Sequence, residues 1–143
     1  NLMLYYTGLT RISSEILSEQ KDNIGNRAKV LDEMLEMVDV AAQKMHDGET
    51  SKWGEMLDKA WNLKKSLASK ISNPDINTMY EKAKEAGAAG GKILGAGGGG
   101  FLLLYVPDES RCRVDKMLSG YKKVDFDFEN EGSRIIFMED NRK

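Results

Sequence analysis

Cysteine occurs once in these 143 residues, histidine once and proline only twice. A lone Cys112 excludes an internal disulfide, and Cys112 and His46 together cannot furnish the several ligands a structural zinc site needs. Cys112 falls in a helical pattern and reads as a mildly buried thiol in a reducing compartment, so a cytoplasmic protein is expected. An excess of one charge is also missing, because 21 basic and 23 acidic residues leave a net charge of -2. With no basic run longer than a pair, the footprint of a nucleic-acid binder is absent. No apolar run approaches a membrane span, and no charged lead-in precedes a signal-like core. The chain opens on NLMLYYTG, already reading as a strand, so we expect a piece of a longer protein.

Glycine, by contrast, is concentrated. Eight of the fourteen glycines lie in the window Gly87 to Val106, GAAGGKILGAGGGGFLLLYV. A flexible linker does not fit, because the residues after Val106 are too few to form a second core. Apolar runs flank the glycines, Ile93 and Leu94 before and Phe101 to Val106 after, which implies two strands joined by a Gly-rich turn. The loop needs positive φ, or something must approach its backbone closely. Gly95, Gly97 and Gly100 match the dinucleotide pattern G-x-G-x-x-G by letter, but that fingerprint opens a helix and here a strand follows. The P-loop pattern fails as well, since Ala86 and Ile93 stand where a glycine and a hydroxyl are required.

Taken in order, Leu2 to Tyr6 reads as a buried strand, and Leu9, Ile12, Ile16 and Leu17 recur at helical spacing through about Asn23. A second helix is expected from about Asn26 to Met45, with Leu31, Met34, Leu35, Val38, Ala41 and Met45 on one inward stripe. A third follows Thr50 and Ser51 as caps, its stripe running through Trp53, Met56, Leu57, Ala60, Leu63 or Lys64, Leu67 and Ile71. Asn73 and Pro74 signal the start of a fourth, which Gly87 stops. Beyond the glycine hairpin, Asp108 caps a short helix with Val114, Met117 and Leu118 inward. Val124, Phe126 and Phe128 then alternate with Asp125, Asp127 and Glu129 as a half-buried strand, and Arg134 to Met138 supplies a last one. That acidic face suits a divalent cation in principle, but a solvated face that discourages edge pairing is the stronger reading, and no metal site is expected. The order β, four α, β, β, α, β, β gives an α+β fold. We expect one domain over 1–143 with a mostly antiparallel sheet, helices on one side, and a split β-α-β plan carrying a helical insertion.

The glycine segment resembles the third motif of the small-molecule kinases grouped as galactokinase, homoserine kinase, mevalonate kinase and phosphomevalonate kinase, the GHMP family. In that family it lies in the C-terminal domain, where a helix leads through Gly-Lys into strand, glycine loop and strand. YYTGLTR with ISSEIL behind it is similar to the branch acting on heptose phosphates and related sugars. The resemblance implies an ATP-dependent sugar kinase using Mg²⁺, whose phosphate cradle, P-x-x-x-G-L-G-S-S-A, belongs to an N-terminal domain and does not occur here. It implies that the chain's partners are its own N-terminal kinase domain and a sugar or sugar phosphate, with no nucleic acid or membrane, and that the fragment alone is inactive. It further implies a phosphate or substrate loop at Gly95, Ala96, Gly97, Gly98, Gly99 and Gly100, with no catalytic residue in this half.

Thr7, Arg11 and Lys92 are candidates for holding the sugar. Thr7 ends the first strand and Arg11 falls in the first turn of the following helix, a corner that suits an anion. The alternative there is an ordinary helix start with Arg11 paired to Glu15. The face carrying Thr7, Gly8 and the glycine loop is expected to be apolar or self-associated. Two other functional classes remain open, a stand-alone ligand-binding regulatory module and a helical interaction domain. An exposed apolar helix face would favour the latter.

Overall fold

The computed structural model describes residues 1–134. The strand expected over Arg134 to Met138 lies, from 135 onward, outside the described residues. Four strands, β1 (Leu2–Tyr6), β2 (Gly90–Ile93), β3 (Phe101–Tyr105) and β4 (Lys122–Val124), form an antiparallel sheet in the order β2-β3-β1-β4. β3 pairs with β2 and β1, setting Ile93 opposite Leu102 and Leu4 opposite Leu103, and β1 also pairs Leu4 with Val124. Because β3 is antiparallel to both, β1 and β2 run the same way with β3 between them. That is the split β-α-β arrangement of an α+β fold.

Five helices accompany the sheet: α1 (Ser13–Asn23), α2 (Ala28–His46), α3 (Trp53–Lys65), α4 (Pro74–Glu85) and α5 (Arg111–Met117). The β period of two sends Met3, Tyr5, Ile93, Leu102 and Leu104 to one face, where they join Ile76, Met79 and Ala83 of α4 and Val114 of α5 in a single core. Tyr5 also donates its hydroxyl proton to Asp115 of α5. Pro74 is the first residue of α4, and the Asn73 side chain accepts from the Ile76 N–H at 2.9 Å, a cap worth about 1 kcal/mol.

α3 lies against β2 through a contact between glycines. A Cβ built on Gly90 would fall 1.9 Å from the Gly54 carbonyl oxygen, and one on Gly54 would fall 2.3 Å from Cβ of Ala89. Below that contact, Tyr80 of α4 donates to Asp58 of α3, and Lys84 lies 3.5 Å from the same carboxylate while donating to the Ala89 carbonyl. Helix-to-helix and helix-to-strand spacing are thereby fixed together.

Several expectations are corrected. α1 begins at Ser13 with Ile12 as its boundary residue and no side-chain cap, so Arg11 precedes the helix instead of lying in its first turn. α3 likewise starts without a side chain from Thr50 or Ser51 capping it. α2 packs on α3 but buries none of its residues, and Leu35, Val38 and Met45 of its expected inward stripe are exposed. Trp61, omitted from the α3 stripe, is fully buried, with the Lys65 ammonium 5.8 Å from its ring centre. Cys112 is exposed because α5 turns Val114 inward and presents the cysteine to solvent. Among the described residues strand pairing ends at Val124, and residues 125–134 form no strand. A depression of about 540 Å³ bordered by Leu2, Leu4, Arg111 and Phe126 lies there, and Phe128 is exposed.

Candidate functional site around the glycine loop

Gly95 to Gly100 join β2 to β3, and four of the six residues take the left-handed backbone: Gly95 (φ 76), Gly97 (φ 112), Gly98 (φ 72) and Gly100 (φ 85). The loop is gripped from two sides. On one, the turn between α3 and α4 approaches: the Gly98 N–H donates to the Ile71 carbonyl at 2.7 Å, and the Asn73 amide reaches the Gly98 carbonyl at 3.4 Å. A Cβ on Gly97 would sit 2.6 Å from the Ile71 carbonyl oxygen, so the contact is backbone on backbone. On the other side stands the β1–α1 connection. The Gly100 N–H donates to the Leu9 carbonyl at 2.8 Å, and the Thr7 N–H and hydroxyl both donate to the Gly100 carbonyl at 2.9 Å.

Thr7 is buried, and its hydroxyl oxygen also accepts from the Leu9 N–H at 3.3 Å. Its polar capacity therefore goes into shaping the turn that leads to the loop. Arg11 comes next: a Cβ on Gly98 would lie 3.2 Å from Cγ of Arg11, so the stem of this side chain crosses the loop. Arg11, Glu15, Ser69, Lys70 and Asn73 line a depression of about 250 Å³ beside it. Glu15 pairs with Lys70 at 3.2 Å, whereas Arg11 has no carboxylate partner among the described residues. Lys92 stands on β2, three positions before Gly95, on the face opposite Ile93.

Three participants were not singled out for the loop from the sequence. Ile71 and Leu9 act through backbone carbonyls, which no side-chain pattern marks. Lys64, the last-turn residue of α3 that shares its stripe position with Leu63, donates to the Gly95 carbonyl. Burial pushes its ammonium below the usual lysine range, and the positive charge of Lys92 adds to the shift. A lysine at a position where an apolar stripe meets the sheet was the available signal.

The family described as GHMP kinases C terminal matches residues 40–113, which is more than half of the chain and includes the whole glycine loop. The chain belongs to that family. A D-glycero-alpha-D-manno-heptose 7-phosphate kinase from Campylobacter jejuni is 30% identical over 137 residues, covering 91% of this chain and 40% of that protein. An L-fucokinase/L-fucose-1-P guanylyltransferase from Bacteroides fragilis is 30% identical over 122 residues, 82% of this chain and 13% of that protein. Among solved structures, a Lin0012 protein from Listeria innocua superposes with a TM-score of 0.76 at 16% identity, over 89% of this chain and 39% of that one. The GHMP chain thus spans well under half the length of these relatives. No helix among the described residues is long and apolar enough to cross a membrane.

Proposed function

We propose that this GHMP domain is the C-terminal half of an ATP-dependent sugar kinase. In this reading it moves the ATP γ-phosphate to a hydroxyl of a sugar or sugar phosphate of the heptose 7-phosphate type. The observation that carries the reading is the doubly gripped glycine loop: four left-handed glycines held by backbone contacts on both flanks, in a domain whose relatives include two sugar kinases. Phosphoryl transfer depends on positioning and on neutralising charge spread over the phosphoryl oxygens, and a rigid loop presenting backbone without side chains serves both ends.

In this reading Thr7 and Leu9 hold the loop from the β1 side, Ile71 and Asn73 hold it from the α4 side, and Arg11 offers a guanidinium fork to the acceptor. Among the described residues no three acidic, cysteine or histidine side chains converge. In this reading ATP and Mg²⁺ are held mainly by the N-terminal half. The ATP-binding half would lie over the loop, covering Leu94 and Phe101 at its two ends and Ile12 beside Arg11, all of them exposed.

The test is to express this chain joined to an N-terminal ATP-binding half and follow ADP release with MgATP and a panel of sugars, sugar phosphates and mevalonate. Turnover highest on a heptose 7-phosphate is expected. Turnover on mevalonate alone, or on no acceptor, overturns the proposal. One observation favours a second reading, a helical interaction domain, since α2 exposes Leu35, Val38, Val40 and Met45. In that case the chain would act without an ATP-binding half, and the joined protein would release no ADP.

A further inference from the structure

Helix α2 carries two apolar seams, and the fold covers only one. The first runs through Val30, Met34, Met37 and Ala41 at alternating steps of four and three residues, and these side chains are half-buried on the side of α3. Glu33 pairs with Lys59 of α3 at 2.7 Å, which marks that side of the helix as the inner one. The second seam runs through Ala28, Leu31, Leu35, Val38, Ala42 and Met45, again at steps of three and four. That is the a/d pattern of a coiled coil, kept over the whole length of the helix. Leu31 is half-buried, whereas Leu35, Val38 and Met45 are exposed by 66%, 60% and 60%. At about 100° per residue the two seams lie side by side, which leaves room for a further helix beside α3.

Val38 stands at the rim of a groove of about 220 Å³ between α2 and α3, which Met34, Trp53, Met56 and Ala60 line with no charged side chain among them. Side chains of a docked helix would enter it as knobs enter holes. The flank of the open seam turned away from α3 is acidic. Asp32, Glu36 and Asp39 follow one another along it, and none belongs to an ion pair among the described residues. Lys29 at the head of this flank offsets one of the three charges, and His46 stands at its end. A second copy of the chain suits the seam poorly. Antiparallel, it fills the layers by setting Leu31 on Ala42 and Leu35 on Val38, but it also sets Asp32 against Asp39 of the other copy, twice over. Parallel, it stacks Ala28 on Ala28 and Ala42 on Ala42, which leaves voids.

We propose that the outer seam of α2 is a docking site for an amphipathic helix of another protein. That helix would carry large apolar side chains at heptad spacing, and lysine or arginine along the edge that meets Asp32, Glu36 and Asp39. The apolar stripe supplies contact area, and the charged edge selects the partner and its direction. The site does not depend on the kinase reading. Under that reading the ATP-binding half would lie over the glycine loop, to which α2 contributes no residue.

The probe is a synthetic three-heptad peptide with leucine at a and d and lysine at e and g, whose like charges keep its copies apart. It is titrated into the 143-residue chain and followed by amide chemical shifts and calorimetry. Saturable one-to-one binding is expected, with shifts at Leu31, Leu35, Val38 and Met45. Leu35→Gln and Val38→Gln should each weaken it at least about tenfold, and at exposed positions they should leave the fold intact. Val40→Gln, exposed on another side of α2, is the control and should change nothing. A peptide with glutamate in place of each lysine should bind at least about tenfold more weakly, and added salt should narrow that gap. Equal binding of the two peptides, or binding that survives Leu35→Gln, overturns the proposal. So does dimerisation of the chain that Leu35→Gln abolishes, which would give the seam to a second copy. Loss of peptide binding once the chain is joined to an ATP-binding half would overturn it too, by giving the seam to that half. An inactive joined protein that still binds the basic peptide would sink the kinase reading and leave this site standing.

Discussion

Thr7 holds Gly100 twice: its backbone N–H and its hydroxyl both donate to the Gly100 carbonyl oxygen at 2.9 Å. The hydroxyl also accepts from Leu9, so one side chain joins the end of β1, the exit of the glycine loop and the turn toward α1. Thr7→Val keeps the shape and removes the hydroxyl, leaving the Leu9 N–H without its acceptor. We expect a loss of about 1–2 kcal/mol in urea unfolding, with Thr7→Ser close to the parent. Equal stability of all three would mean that water replaces the hydroxyl at no cost.

The loop glycines should not be equivalent. Gly97→Val must bring a branched side chain against the Ile71 backbone at φ 112, whereas a Cβ at Gly95 meets nothing within 4 Å. Gly95→Ala should cost only the left-handed strain, about 1–2 kcal/mol. In the joined kinase Gly97→Val should lower turnover at least about tenfold. Near-normal turnover there would reduce the loop to a plain strand connection.

Arg11 provides a kinetic test. Arg11→Lys keeps the charge and loses the two-pronged fork, so the KM for a phosphorylated acceptor should rise about tenfold while that for ATP stays put. Unchanged acceptor kinetics would leave Arg11 as a surface residue whose stem packs on Gly98.

Alkaline pH should expose two tyrosines. Burial, and then the hydrogen bond and charge of a neighbouring carboxylate, push the hydroxyls of Tyr5 and Tyr80 well above the ordinary tyrosine range, through Asp115 and Asp58 respectively. A pKa raised in the folded state means that the unfolded chain gives up these protons first. The stability they contribute is whole below about pH 10 and is lost as pH climbs further. Ultraviolet titration should show a delayed phenolate component that coincides with unfolding, and Tyr80→Phe should remove part of it. Smooth ionisation of every tyrosine before the fold is lost would contradict this assignment.

ATP alone should bind the 143-residue chain more weakly than micromolar if, as in the proposed reading, the phosphate cradle belongs to the other half. Isothermal calorimetry decides it. Tight binding would mean that the glycine loop is a self-sufficient nucleotide site.

What the sequence made legible was whatever backbone chemistry stamps on residue identity. Left-handed positions between two apolar runs require glycine, and Asn73 before Pro74 marks a helix start, so the hairpin and the head of α4 could be read directly. The start of α1 could not, because Leu9 and Ile12 already carry the helical spacing while the backbone at Leu9 is still held against Gly99 and Gly100. α2 misled for a different reason: its apolar stripe is wider than the single helix it packs against, and period alone cannot say which part is covered. Val124, Phe126 and Phe128 alternate correctly, but alternation does not tell where pairing with β1 stops. The grips on the loop were the least legible, since Ile71 and Leu9 act through carbonyl groups that every residue has.

The Gly54–Gly90 contact gives the domain a fulcrum. Lys64 lies ten residues along α3 from Gly54, about 15 Å down a rigid rod, so a small tilt at the contact becomes a larger swing at the lysine. A methyl group at either glycine would be a wedge driven under that rod, far from any ligand. Gly54→Ala should thus unhook Lys64 from Gly95 and disturb the glycine loop remotely, with the loop's own sequence untouched.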